Sequence, residues 1–213
     1  MTLKHFYLNQ NEVGLDEAGR GPLLGRVYAG AVIWDPTKDK EKDKVCEFIN
    51  DSKKLTPKKR KLALQWIKEN LIWSYGYADV EEIEQHNILN ATKIAMDRAI
   101  NKIKKMNIDI KDIIIDGTGW EKKFDNTYTI KSIIKGDANY YSIACASIIA
   151  KEYHDEHILE LCKECPDLDH NYNISNNMGY PTKDHIDGIN KYGITKYHRH
   201  TFNPCNKHIK PEN

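Results

Sequence analysis

Apolar and polar positions along this chain fall into short runs of two different periods. Residues 12–16 form a short apolar-rich run ending at the turn Gly19-Arg20-Gly21-Pro22, and residues 27–34 form a second. Two such runs around a Gly- and Pro-containing loop predict a hairpin-like pair of strands. Asp35-Pro36 marks a break. Thr56-Pro57 predicts a helix start, Thr as N-cap and Pro in the first helical position, and Leu62, Trp66 and Ile67 supply that helix with an apolar face. Residues 72–78 predict a third strand. Ile88, Ala91, Ala95, Ala99, Ile103 and Met106 recur at helical spacing and predict an amphipathic helix. Ile113-Ile114-Ile115 predicts a buried strand running into Asp116-Gly117, and residues 128–134 predict another. Residues 142–150 are small and apolar on every side, which places a helix in the core and allows close packing. Strands come first, then helix and strand in alternation, then helices alone. That order predicts an α/β fold with a mixed central β-sheet flanked by helices and a C-terminal helical region.

Composition narrows the picture only slightly. A length of 213 residues suits one domain, or one with a small appendage. Basic residues number 32 and acidic ones 31, so the net charge of +1 points to no class of partner. The five cysteines (Cys46, Cys145, Cys162, Cys165 and Cys205) are odd in number and lack framework spacing. With no apolar leader segment after the N-terminal charges, they predict reduced thiols in a cytosol-like, cytoplasmic setting. No apolar run approaches membrane-spanning length, so no membrane association is expected.

The chemistry-bearing positions stand where elements end. Asp16, Glu17, Asp116 and Asp137 all fall at predicted strand ends or loops. Several carboxylates together can hold two hard divalent cations for phosphodiester hydrolysis, one ion activating water and the other stabilising the leaving oxygen. Taken singly, each has a plainer reading. Asp116 before glycine is a turn residue, and Asp137 an N-cap. Asp16 and Glu17 are neighbours that a regular strand points to opposite faces, so they share a site only if the strand ends or bulges there. The Gly19-Arg20-Gly21 segment lets backbone approach a ligand, or is an ordinary turn. Lys53, Lys54, Lys58, Lys59, Arg60 and Lys61 crowd one stretch, as a phosphate-binding surface or a solvated helix start. Lysines at a helix N-terminus oppose the dipole, which favours an external role. The single Cys162-x-x-Cys165 pair, with no second pair at ligand spacing, argues against zinc.

These signals coincide with one family pattern. Val13-Gly14-Leu15-Asp16-Glu17-Ala18-Gly19-Arg20-Gly21-Pro22 resembles the opening signature of ribonuclease HII, a type 2 ribonuclease H. Asp51-Ser52-Lys53-Lys54-Leu55, Ile115-Asp116-Gly117, and Lys135-Gly136-Asp137 followed by the stretch from Ser142 to Lys151 resemble its later motifs. Gly179-Tyr180-Pro181-Thr182, His185, Tyr192-Gly193, His198-Arg199 and Phe202 resemble the C-terminal ones. The resemblance runs in order from residue 13 to about residue 204. It implies an RNase H-like fold, with a catalytic domain over 1–165 and a helical substrate-binding region over 166–213, or the two as one continuous domain.

The resemblance also implies an endoribonuclease that cleaves RNA in RNA–DNA hybrids and nicks duplex DNA 5′ to embedded ribonucleotides. Two Mg²⁺ or Mn²⁺ ions would act, leaving 3′-hydroxyl and 5′-phosphate ends. Asp16, Glu17, Asp116 and Asp137 align with the family's metal-binding carboxylates. Gly19, Arg20 and Gly21 align with the loop that reads the ribose 2′-hydroxyl, and Tyr180 with the tyrosine that packs on the neighbouring deoxyribose. Lys53, Lys54, Ser142, His185 and Arg199 align with further substrate-binding positions. Arg20, where type 3 enzymes typically carry lysine, favours the HII kind and single-ribonucleotide recognition. Arg26 departs from the family's usual proline, and an insert around 121–126 lengthens the link between the strands presenting Asp116 and Asp137. The tail after Phe202 is short and polar with no clear sliding-clamp motif, and a monomer is expected. Two rival classes remain: a hybrid-binding module without chemistry, and a resolvase- or integrase-type nuclease of the same fold class.

Overall fold

The computed structural model of the protein describes residues 3–38, 49 and 52–208; Cys46 and Asp51 lie outside these residues, as does the side chain of Lys53. Among the described residues five strands form one mixed sheet in the order β3-β2-β1-β4-β5. β1 (Val13–Ala18) and β2 (Val27–Ile33) are the expected antiparallel pair, with β1 continuing past Asp16 until Ala18 faces Tyr28. β3 (Ile72–Ala78) extends the antiparallel half to the edge. On the other side, β4 (Asp112–Asp116) runs parallel to β1, and β5 (Thr129–Ile133) parallel to β4.

Local signals start the helices. α1 (Pro57–Asn70) begins where Thr56-Pro57 predicts, the Lys59 N–H donating to the Thr56 hydroxyl. α2 (Val80–Lys104) begins earlier than its apolar periodicity suggests, because Asp79 and Glu82 form a capping box. Asn87, at φ 63°, interrupts it; its side-chain oxygen accepts the Leu89 and Asn90 N–H groups and so recaps the periodic segment. Met106, expected on that apolar face, lies beyond the helix end and is exposed. α3 (Tyr141–Glu164) contains the small apolar stretch, and α4 (Asp167–Tyr172), α5 (Ile174–Asn177) and α6 (Lys183–Tyr192) follow it.

The two sheet faces bury different partners. Val13, Leu15, Ala29, Ala31, Ile113 and Ile115 pack with Ala95, Met96, Ala99 and Ile103 of α2. Val32 and Trp34 pack on the opposite side with Ala63, Trp66 and Ile67 of α1 and with the small residues of α3. Trp34 stacks on Tyr141 with ring centroids 4.3 Å apart. A third cluster joins Leu23 and Leu24, from the loop after β1, to Ile158 of α3 and to Leu168, Tyr172, Ile174 and Ile189 of the C-terminal helices.

Helix α3 touches the sheet backbone directly. A Cβ built on Gly14 would lie 2.4 Å from the Ser142 carbonyl carbon, and one on Gly30 would lie 2.2 Å from the Ala146 oxygen. Both opposing atoms are backbone, so no rotamer change relieves the overlap. Gly30→Ala is therefore expected to destabilise the fold by about 3 kcal/mol, at the upper end for overpacking. Urea unfolding would show it as a lower midpoint with unchanged slope.

Candidate active site

Strand register assembles the carboxylates. Leu15 is level with Ile115 in the parallel pair, so Asp16 and Asp116, one residue further on, reach the same face of adjacent strands. Asp16 is buried at 6% exposure, and Asp116 is half-buried. An Asp116 carboxylate oxygen accepts the Gly136 N–H at 2.7 Å, and the Asp116 carbonyl accepts the Trp120 indole N–H at 3.1 Å. The first bond draws the short 3-10 turn Gly136–Ala138, with Asp137 at its centre, onto the end of β4. Asp137 is not the cap of α3, a place occupied by Tyr140.

The condition that sequence reasoning placed on Asp16 and Glu17 is not met. β1 neither ends nor bulges between them; its pairing with β2 is unbroken to Ala18. They meet through the backbone instead, the Glu17 N–H donating to an Asp16 carboxylate oxygen at 2.7 Å. Glu17 then accepts from the Arg20 guanidinium at 3.0 Å. Burial first, then the nearby Glu17 and Asp116 carboxylates, push Asp16 well above the usual carboxylate range. Hydrogen bonds from the Ser147 hydroxyl and the Glu17 N–H offset part of that. Ser147 is itself hydrogen-bonded to Ser52 at 2.8 Å, which ties the segment before α1 to the same spot.

Among the described residues no group of three or more His, Cys, Asp or Glu side chains stands placed to hold a metal ion. The carboxylates stand as repelling neighbours. All-oxygen, anionic donors suit a hard divalent cation, and the repulsion on buried Asp16 is of the kind a cation relieves.

The glycine loop stands beside them. Gly19 has φ 92°, and a Cβ there would lie 2.5 Å from the ring of buried His154 and 2.8 Å from the Arg26 carbonyl oxygen. A Cβ on Gly21 would lie 3.2 Å from the Tyr180 ring, so loop and ring are in contact. Glu17, Gly19, Arg20, Gly21, Ser52, Ser147, Lys151 and Tyr180 line one open cleft of about 470 Å³. Tyr180 is 39% exposed, and the Lys151 ammonium lies 6.0 Å from its ring centroid.

Other expected site residues are placed differently. Ser142, His185 and Arg199 are fully buried, so their side chains present nothing to a ligand in the cleft. The Ser142 hydroxyl has no hydrogen-bond partner among the described residues and lies under the sheet at Gly14. Lys54 is exposed, as are Lys58, Lys59 and Lys61. Arg60, from the same basic stretch, is buried in ion pairs with Glu152 and Asp155 and belongs to the packing. Cys162 and Cys165 pack in the C-terminal cluster, and burial pushes the Cys162 thiol up to about 11, far from a thiolate ligand. Sequence reasoning gave no individual role in this site to Ser52, Ser147, Lys151 or His154, although the first three fall within the motifs of the family resemblance. The last three share a helical spacing on α3, a usable signal, but nothing local links Ser52 to Ser147.

A ribonuclease HII family model matches residues 13–205. The chain belongs to the ribonuclease HII family. Among its curated relatives, ribonuclease HII of Phocaeicola vulgatus is 46% identical over 201 residues, 92% of each chain. Among solved structures, one of the PCNA:RNase HII complex from Archaeoglobus fulgidus aligns with TM-score 0.69 at 19% identity, over 90% of this chain and 94% of that one. Bst-RNase HIII, solved in complex with Mn²⁺, aligns with TM-score 0.61 at 16% identity, over 84% of this chain and 69% of that one. The fold is therefore RNase H-like, as expected. As a ribonuclease HII family member, the chain is a hydrolytic endoribonuclease that acts on RNA–DNA hybrids. No helix among the described residues is long and apolar enough to cross a membrane.

The buried carboxyl generates a stability prediction. Because the Asp16 value is raised in the folded state, this group stabilises the fold below its unfolded value and loses that contribution as pH rises through the folded one. In metal-free buffer at neutral pH, Asp16→Asn should melt above the wild type, with the gap closing as the pH is lowered. A variant that melts lower at neutral pH would show that the carboxylate is not electrostatically strained.

Proposed function

We propose that this ribonuclease HII family member nicks duplex DNA on the 5′ side of a single embedded ribonucleotide, besides cleaving RNA in hybrids. Asp16, Glu17, Asp116 and Asp137 are its metal-binding carboxylates, for two Mg²⁺ or Mn²⁺ ions. One observation carries this reading: Glu17, which with Asp116 crowds the buried Asp16 carboxylate, lines the same cleft as the glycine loop and Tyr180. The Mn²⁺ bound by Bst-RNase HIII supports the choice of ion. When bound, such ions supply a polarised water and charge neutralisation at the leaving 3′ oxygen.

The chain's own groups supply position. Backbone of Gly19, Arg20 and Gly21 approaches the ribose closely enough to hydrogen-bond its 2′-hydroxyl, the group that separates RNA from DNA. The Tyr180 ring, in contact with Gly21, packs on the adjacent deoxyribose, where a 2′-hydroxyl would not fit against it. Exposed Lys54 and the cleft residue Lys151 face the substrate phosphates, with Lys53 beside them in sequence. Residues 166–213 act as the substrate-binding region by bringing Tyr180 to the catalytic part. Hydrolysis leaves 3′-hydroxyl and 5′-phosphate ends.

The test is a labelled duplex carrying one ribonucleotide, incubated with Mg²⁺ or Mn²⁺ beside an all-DNA control. One cut 5′ to the ribonucleotide, absent from the control, is expected. Cutting confined to runs of several ribonucleotides would overturn the single-site reading. Asp116→Asn should lower cleavage on the order of 10³-fold or more while substrate binding persists; near-wild-type turnover would remove Asp116 from the site. Tyr180→Ala should lower kcat/KM on the single-ribonucleotide duplex more than on a continuous hybrid. Equal losses on both would remove the tyrosine's junction role.

A further inference from the structure

The glycine loop and Tyr180 come from opposite ends of the sequence, and reading one ribose junction requires them to keep a fixed separation. We infer that the adjacent pair His198-Arg199 is the positioning unit that holds them together, and that this hold sets the preference for a lone ribonucleotide. The inference rests on the roles proposed above for the loop and Tyr180.

Arg199 holds the loop. Its side chain is fully buried, and its hydrogen-bond partners among the described residues are all backbone carbonyls. One terminal nitrogen donates to Gly19 at 2.7 Å and Arg26 at 3.1 Å, and the other to Pro22 at 2.8 Å and Arg20 at 3.2 Å. Nε donates to Gly25 at 2.9 Å. The planar guanidinium fork reaches carbonyls converging from several directions, whereas a lysine ammonium offers three donors from one point. Backbone bonds continue the link. Arg199 N–H donates to the Leu23 carbonyl at 2.8 Å, and Leu23 N–H donates to the Gly179 carbonyl, just before Tyr180, at 2.7 Å.

His198 reaches Tyr180 the other way. The Thr195 N–H donates to His198 Nδ1 at 3.0 Å, so that nitrogen is an acceptor and the ring proton sits on Nε2. His198 Nε2–H then donates to His185 Nε2 at 3.1 Å. This leaves the His185 proton on Nδ1, which donates to the Tyr180 carbonyl at 3.0 Å. One backbone N–H thus fixes the tautomer of both rings. Both side chains are fully buried; burial lowers His185 and brings His198 down to about 3, so both stay neutral. Tyr172 of α4 presents its ring edge-on to both, with centroids 6.0 Å and 5.0 Å away. Full burial makes these positioning residues and not catalytic ones.

The experiment compares R, the ratio of kcat/KM on a single-ribonucleotide duplex to kcat/KM on a continuous hybrid. The variant is the double replacement His185→Phe with His198→Phe, which keeps two rings in place and removes both ends of their hydrogen bond. Neither ring is left with a nitrogen facing a missing partner on the other, so that part of the penalty of a single replacement is avoided, while the Thr195 N–H and the Tyr180 carbonyl each lose their ring partner. R is expected to fall roughly tenfold or more, as for a small misplacement of a substrate-positioning group. Adding Tyr180→Ala should then lower R no further, since the pair acts through Tyr180. Arg199→Lys, with the charge kept and the fork lost, should lower R as well.

Wild-type R in the double variant or in Arg199→Lys, while Tyr180→Ala alone lowers R, would overturn the inference and leave the Tyr180 reading intact. Unchanged R in Tyr180→Ala alone would overturn that reading, and this inference with it. Nitrogen-15 NMR of the wild type at neutral pH supplies a readout independent of variant folding. It should find His185 protonated at Nδ1 and His198 at Nε2; the reverse tautomers, or a protonated ring, would overturn the relay.

Discussion

The close seating of α3 on the sheet is the constraint from which the site follows. Gly14 and Gly30 admit the helix to backbone contact, and any larger residue at either position would push it outward. At that distance Ser147 reaches Asp16, Lys151 reaches the cleft, and His154 lies under Gly19. These α3 residues lie on its sheet-facing side at helical spacing. A lifted helix would move them all in the same direction. The small residues over 142–150 are the helix's half of this fit, with close packing there setting catalytic geometry as well as stability.

The same seating produces the electrostatic strain. Asp16 is drawn into a place with little water, with Glu17 and Asp116 beside it. Glu17 is matched by Arg20, which is itself part of the glycine loop, so the anionic cluster and the loop are coupled by an ion pair. Buried Arg60 shows the opposite arrangement: it is matched by Glu152 and Asp155, and Asp155 by Lys151 as well. Leaving Asp16 among like charges is an arrangement of the kind expected where a functional cation belongs.

Much of the fold was legible because its signals are local. Thr56-Pro57 marked α1, residues 72–78 marked β3 to the residue, and the small apolar run marked α3. The capping box at Asp79 was equally local, and was passed over because the apolar period begins only after the Asn87 interruption. The four carboxylates were singled out by the family resemblance, since their places at strand ends and loops also allow plainer readings. How Asp16 and Glu17 relate did not, because it depends on an N–H to carboxylate bond within a regular strand. Burial of Ser142, His185 and Arg199 was equally hidden, since polar residues near a motif look like ligand contacts until packing shows what covers them. Arg60 shows the same limit, as four consecutive basic residues read alike although one is enclosed by acids from α3.

Arg26 shows how the loop absorbs change. It stands where the family usually has proline. Its guanidinium lies over the Tyr77 ring at 4.3 Å, with the Tyr28 hydroxyl as a further partner. What the loop requires of this position is the carbonyl, which accepts from Arg199 at 3.1 Å. The other four bonds from Arg199 also go to main-chain oxygens, at Gly19, Arg20, Pro22 and Gly25. A loop held by its backbone keeps its shape when an outward side chain changes, provided the new residue allows the same φ and ψ. Sensitivity to substitution is thereby concentrated at the arginine that donates and at Gly19, where a side chain has no room.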